Sequence, residues 1–143
     1  MTMLHLEPLI IARLRERLPA GVHVLSAVDL AGVAEGSQPT PAVHVVYQGY
    51  RVIESRPDGR AARLQQTWLV VVAVRNVRDA SAGSAARGDA GMLAESVITA
   101  LMGWKMDAIN KPLKLTNAPA AGFRAGFLYV PLAFEAETDV RSA

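Results

Sequence analysis

The feature that most constrains this chain is the stretch Gln65–Asn76, QQTWLVVVAVRN. It holds seven consecutive apolar residues, Trp68–Val74, four of them valine, with no glycine or proline. β-branched and aromatic side chains suit a pleated surface, and so short a run favours a strand over a helix. In a strand, Thr67, Leu69, Val71 and Ala73 point one way and Trp68, Val70, Val72 and Val74 the other. Both faces are therefore apolar, whereas a sheet wet on one side alternates apolar with polar. Both faces of this central strand need cover, and the rest of the chain must be read for what can supply it.

The chain has 143 residues, a length that fits one domain burying roughly 68–70% of its unfolded surface. With 51% hydrophobic and 20% charged residues its composition is globular. No apolar run approaches the ~20 residues of a membrane helix, and the start carries no pattern expected of an export signal. There are no cysteines, which removes disulfides, thiolate nucleophiles and thiolate metal ligands together and fits use in a reducing cytosol. The net charge of +2 is too mild to imply nucleic acid by itself.

In chain order, Met3–Leu18 reads as a helix: Leu6, Ile10, Leu14 and Leu18 fall at four-residue steps, and Pro19 with Gly21 stops it. Val22–Leu30 alternates weakly and is expected as a short strand. Residues 31–41 form a loop by composition. Ala42–Glu54 is a second strand with a bulge at Gly49. The Pro-Asp-Gly signal in Ser55–Arg63 turns it into a long hairpin with the central strand, and Arg51, Arg56, Arg60 and Arg63 make the tip basic. Val77–Gly88 is small and polar and expected as a mobile loop, the flexible span covering about 76–88. Asp89–Met102 is a second helix, with Leu93, Val97 and Leu101 at four-residue spacing, ended by Gly103 and followed by Trp104 as an anchor. A short strand at Pro112–Thr116, a turn at Asn117–Gly122 and a last strand at Phe123–Glu137 complete the chain, with 138–143 as a tail. Pro131 cannot donate to a ladder, so the last strand is expected at an edge or bulged there.

This layout predicts an α+β single domain: a mostly antiparallel sheet of four or five strands with two helices packed on one face. The expected core anchors are Trp68, Val70, Val72, Leu93, Val97, Leu101, Trp104 and Phe134. Two helices cover one face of such a sheet and leave the second. Another copy of the chain or a different subunit is the favoured cover, against a curled sheet or one covered by its long loops.

Chemistry is sparse. His5, His23 and His44 have no metal-ligand spacing, and His44 in an apolar strand reads as a structural residue. No serine lies in a nucleophile-elbow context. Gly83–Gly88 (GSAARG) stands where a phosphate loop would lie, but Asp89 and Ala90 replace the required Lys and Ser or Thr. Arg87-Gly88-Asp89 spells an adhesion tripeptide that chance explains better. Glu135, Glu137 and Asp139 share one side of a strand if it runs that far; a solvated strand end is the better reading than a cation site. The basic hairpin tip is the best polar feature, balanced between a solvated loop and a contact surface. Catalytic, cofactor and metal residues are therefore assigned to none.

Over most of its length the chain resembles the tail terminator, or tail completion, proteins of long-tailed bacteriophages. The features that carry the resemblance are the first helix ending in Leu18-Pro19, the strand Ala42–Tyr50 before a long hairpin, and the helix closing on Leu101-Met-Gly-Trp104. Lys111-Pro-Leu-Lys-Leu115 follows, then Tyr-x-Pro-Leu-x-Phe-x-x-Glu from Tyr129 to Glu137. The 76–88 stretch departs in detail.

The resemblance implies a non-enzymatic virion protein without cofactors, assembled as a hexameric ring at the head-proximal end of the tail after synthesis in the bacterial cytoplasm. Its expected partners are its own copies, the tail tube protein and the head–tail connector or neck protein. No membrane is expected, and DNA only as it passes through the lumen. Arg51, Arg56, Arg60 and Arg63 are then expected to meet acidic groups on a neighbour or the tube, and Glu135, Glu137 and Asp139 to act within the ring. A neck or connector protein is the alternative within the same assembly, and a nucleic-acid-binding module using the hairpin the alternative from another class.

Overall fold

A computed structural model describes residues 3–75 and 80–143, with only the backbone described for residues 80–85. The central run lies in β3 (Ala61–Arg75), as long an element as β6 (Phe127–Arg141) and nearly matched by β2 (Ala42–Ser55). These three make the body of a six-stranded sheet ordered β1-β2-β3-β6-β4, where β1 is His23–Ser26 and β4 is Lys114–Thr116. β5 (Gly122–Arg124) also pairs with β6. Only β1–β2 is parallel; every other pairing is antiparallel. The class is α+β, and the sheet is mixed rather than purely antiparallel.

Two helices, α1 (Leu6–Arg17) and α3 (Ala80–Leu101), pack on one face; a third, α2 (Ala27–Ala31), is a short piece on the other. No helix among the described residues is long and apolar enough to cross a membrane. The even-numbered residues of β3 form the helix-covered face. Trp68, Val70 and Val72 are fully buried against Val43 and Val45 of β2, Phe134 of β6, and Leu6, Ile10, Leu14, Leu93, Val97 and Leu101 of the two helices. Trp104 is partly buried at the edge of this core, under the Arg13 guanidinium, whose carbon lies 4.8 Å from the ring centre. The Trp68 indole N–H donates to Gln66 Oε1 at 3.0 Å, and Gln66 Nε2 donates to Thr138 at 3.3 Å. A buried polar pair is thereby satisfied inside an apolar layer.

Four expected elements and the expected place of Pro131 are corrected. The strand expected over Val22–Leu30 is only His23–Ser26; Ser26 and Asp29 then form a capping box that starts α2, each side chain accepting from the other's backbone N–H. The loop expected over Val77–Gly88 is helical from Ala80, while residues 76–79 lie outside the described residues. Ala86 and Ala90 are buried and carry the Leu93, Val97, Leu101 stripe back by two turns. Alanine is the best helix former, and here it outweighs Gly83 and Gly88.

The strand expected at Phe123–Glu137 is two strands, folded back at Ala125 and Gly126, both with positive φ (51° and 84°). The 138–143 tail is in large part strand, because β6 pairs with β3 as far as Arg141. Neither position expected for Pro131 holds: the strand is not at the edge, and its register with β3 runs unbroken through Val71 opposite Pro131. β6 lies inside the sheet, but β5 pairs with Phe127–Tyr129 and β4 with Ala133–Glu135, leaving a gap opposite Pro131, where the missing N–H has no strand to serve.

Among the described residues the second face is covered at one end only. The segment from α2 through a one-turn 3-10 helix (Glu35–Ser37) to Gln38 lies over His44 and Tyr129. Gln38 Nε2 donates to the Tyr129 hydroxyl at 2.7 Å, that hydroxyl donates to Glu35 at 2.8 Å, and Arg75 donates to the Gly36 carbonyl at 3.3 Å. Beyond this strap Val46, Leu69, Val71 and Pro131 remain partly exposed.

Candidate assembly surface

At the end of the sheet away from the strap, β2, β3 and β6 continue as a three-stranded arm. Two register shifts in β2, at Tyr47/Gly49 and Val52/Glu54, let its side chains keep a common face with β3. Gly49 has a φ of 123°, which an L side chain rarely adopts, so the first bulge requires glycine there. The tip is a tight turn in which the Gly59 N–H donates to the Arg56 carbonyl at 2.9 Å and Asp58 accepts from the Arg60 N–H at 3.0 Å.

The two faces of the arm differ. On one, charges form ladders across the strands. Arg63 of β3 donates from Nε to Asp139 at 3.0 Å, lies 3.2 Å from Glu137, and reaches Glu54 of β2 with Nη1 at 3.3 Å. Lys111 adds a contact to Glu137 at 3.5 Å. One rung nearer the core, Arg51 donates to Gln65 at 2.5 Å and Gln65 donates to Glu135 at 2.7 Å. The hydrogen bond from Arg63, with the charge behind it, holds the Asp139 carboxyl below its ordinary value, and Asp139 in turn raises the Arg63 guanidinium.

The expected residues are thus placed as follows. Arg63, Glu137 and Asp139 meet one another within one chain, Arg51 and Glu135 share Gln65, and Arg56 pairs with Asp58 at 2.7 Å. Among the described residues no ion pair engages the Arg60 side chain. Also among the described residues, no three carboxylate or imidazole groups stand together as a metal site. Gly83–Gly88 is inside α3, so it is no loop.

The opposite face of the arm is apolar and lies on the side of the helices, past where they end. Tyr50 and Val52 are 56% and 52% exposed and Val140 is exposed on the same face, while Leu64, Gln66 and Thr138 between them are buried; Ile53, in the second bulge, is exposed as well. The signal was present in the sequence as the alternation Tyr50-Arg51-Val52, which sets apolar against basic at period two. The strap was the other omission, and its signal was Ser26-Ala-Val-Asp29, a capping box in front of a helix.

The fold is a small α+β domain whose arm carries a self-paired charged face and, opposite it, exposed apolar side chains. The chain belongs to the phage tail terminator protein family: that family's model matches residues 1–143. Among solved structures it is similar to a chain in the virion of a native gene transfer agent particle, with a TM-score of 0.55 and 18% identity over 92% of each chain. At that identity the likeness speaks for the fold. No curated protein matches the sequence. The protein is a structural component of a phage-type tail, assembled with other tail proteins.

Proposed function

We propose that the protein closes as a ring, a hexamer, on the last ring of tail-tube subunits, stops tube polymerisation and offers the surface to which the head joins. The match of the family to the whole chain carries this reading. The unfinished cover of the sheet supports it, since a domain with exposed apolar surface on two sides gains stability from neighbours. The mechanism is geometric. A heterologous contact repeated by rotation closes into a ring, and the ring's outer face no longer matches the tube subunit, so growth ends.

In this reading the partners are other copies, the tube protein and the neck or connector protein, at the head-proximal end of the tail. DNA meets the protein only in passing through the lumen. Arg56 and Arg60 at the tip and Arg51 on the flank face acidic groups of a neighbour or the tube. Arg63, bound to Glu137 and Asp139, stiffens the arm that carries them, and Glu135 holds Gln65 against Arg51. A nucleic-acid role for the hairpin has less support, because three of its four arginines are engaged by groups of the same chain.

Deleting the gene from the phage and imaging the lysate by negative-stain electron microscopy tests the reading. Free tails of uncontrolled length beside separate full heads are the expected result. Tails of normal length lying unjoined would move the protein to the neck, and intact particles would overturn both assignments.

A further inference from the structure

We infer that the apolar face of the arm on one copy lies against the outward stripe of α3 on the next copy, a neighbour's helix finishing the layer that α1 and α3 leave incomplete. The inference rests on the ring proposed above and assigns its contact.

The arm supplies the first observation. Its charged face is satisfied within the chain by Arg63, Glu54, Glu137 and Asp139, whereas Tyr50, Val52 and Val140 stand exposed on the helix side. A cleft of about 340 Å³ opens there between the start of α1 and the arm, lined by Met3, Leu6, Gln66, Thr138 and Val140 among others. Apolar sheet surface is ordinarily closed by a helix, and among the described residues no helix is left to place there.

The second observation is on α3. Gly88, Met92, Glu95, Thr99 and Met102, the last one residue beyond the helix, recur at steps of four and three and are all exposed. Met92 is 72% and Met102 55% exposed. Methionine packs adaptably against uneven apolar surfaces, and Gly88, with open space where a Cβ would stand, lets another backbone approach closely.

The two patches occupy different elements and do not overlap, so copies joined through them head-to-tail can repeat the contact around a ring, which a reciprocal two-fold pairing would stop at a dimer. Charge agrees with the pairing. Among the described residues no ion pair engages Arg60 on the arm or Glu95 in the α3 stripe. An arm-to-arm contact would instead bring Arg56 and Arg60 against their own copies.

The chain contains no cysteine, which makes disulfide trapping clean. Val52→Cys is combined with Met92→Cys or with Met102→Cys, all at exposed positions, and oxidation is applied both to purified protein and to tails isolated from a complemented deletion. The expected result is a non-reducing ladder of linked copies from at least one double variant, reaching six in tails, with none from any single variant. No ladder in either sample, dimers from Val52→Cys alone, or attachment of the arm cysteine only to another tail protein would overturn the contact. Tail length in the same preparation reads the terminator assignment separately: normal tails without a ladder reject this contact and leave termination standing. A ladder from purified protein that never joins tails does the reverse.

Discussion

His44 shows how one residue of the second face registers its cover. The strap buries it, its Nε2 has no hydrogen-bond partner, and burial pushes its pKa below the ordinary value of 6.5. The folded chain therefore binds fewer protons here than the unfolded chain as pH falls past that value. This residue's contribution is intact above pH 6.5 and is lost progressively below it. Urea unfolding at pH 7.5 and pH 5.5 should show a drop in midpoint that is smaller in His44→Gln; equal drops in both proteins would remove His44 as the cause. Ala125 offers a gain instead. Its φ of 51° lies in the left-handed region, and the following Gly126 also has positive φ, a pair of conformations that Asn-Gly adopts readily in two-residue hairpins. Ala125→Asn should stabilise the fold by about 0.5–1 kcal/mol, read as a higher urea midpoint at unchanged slope.

Elements were legible in the sequence to the degree that their signals were periodic. The first helix carries a long period of three to four residues, the central strand an unbroken β-branched run and the hairpin a Pro-Asp-Gly turn, and their placement follows from these. The first half of α3 did not, because its stripe there is built from alanines, Ala86 and Ala90, among glycines and serines that also compose loops. The β5–β6 turn was hidden for the opposite reason, since alanine stands where glycine or asparagine would have announced it. The polar site was legible as residue types but not as pairings: nothing local in sequence tells that Arg63 meets Asp139 rather than a neighbour's carboxylate. For the arm, this leaves Arg56 and Arg60 as the arginines at its outermost turn. Arg56→Glu with Arg60→Glu should weaken each arm contact on the order of thirtyfold, two reversals of roughly 1 kcal/mol apiece. The readout is the fraction of tails ending at normal length in complemented lysates. A fraction equal to wild type would take the tip out of the contact surface.

At the scale of the whole molecule, one layer of the fold is complete and another is not, and the two should fail independently. The helix-covered side closes around Trp68, Val70 and Phe134 with full burial, so folding does not depend on neighbours there. The arm beyond it exposes Val52 to solvent in the single chain, so that residue has little to lose when the chain is alone. Val52→Glu should consequently leave the urea midpoint within about 0.5 kcal/mol of wild type, as exposed substitutions do. In the proposed ring the same glutamate would be buried beside Met92, Met102 and the like-charged Glu95 of the next copy, and normal-length tails should become rare. Val70→Ala is the converse: it removes buried methyl groups and should cost about 2 kcal/mol of folding stability. It leaves the arm and the α3 stripe untouched, so tails should end normally at temperatures where the variant remains folded. Loss of stability in Val52→Glu, or normal tails from a folded Val52→Glu protein, would break this division between the surface that folds the chain and the surface that assembles it.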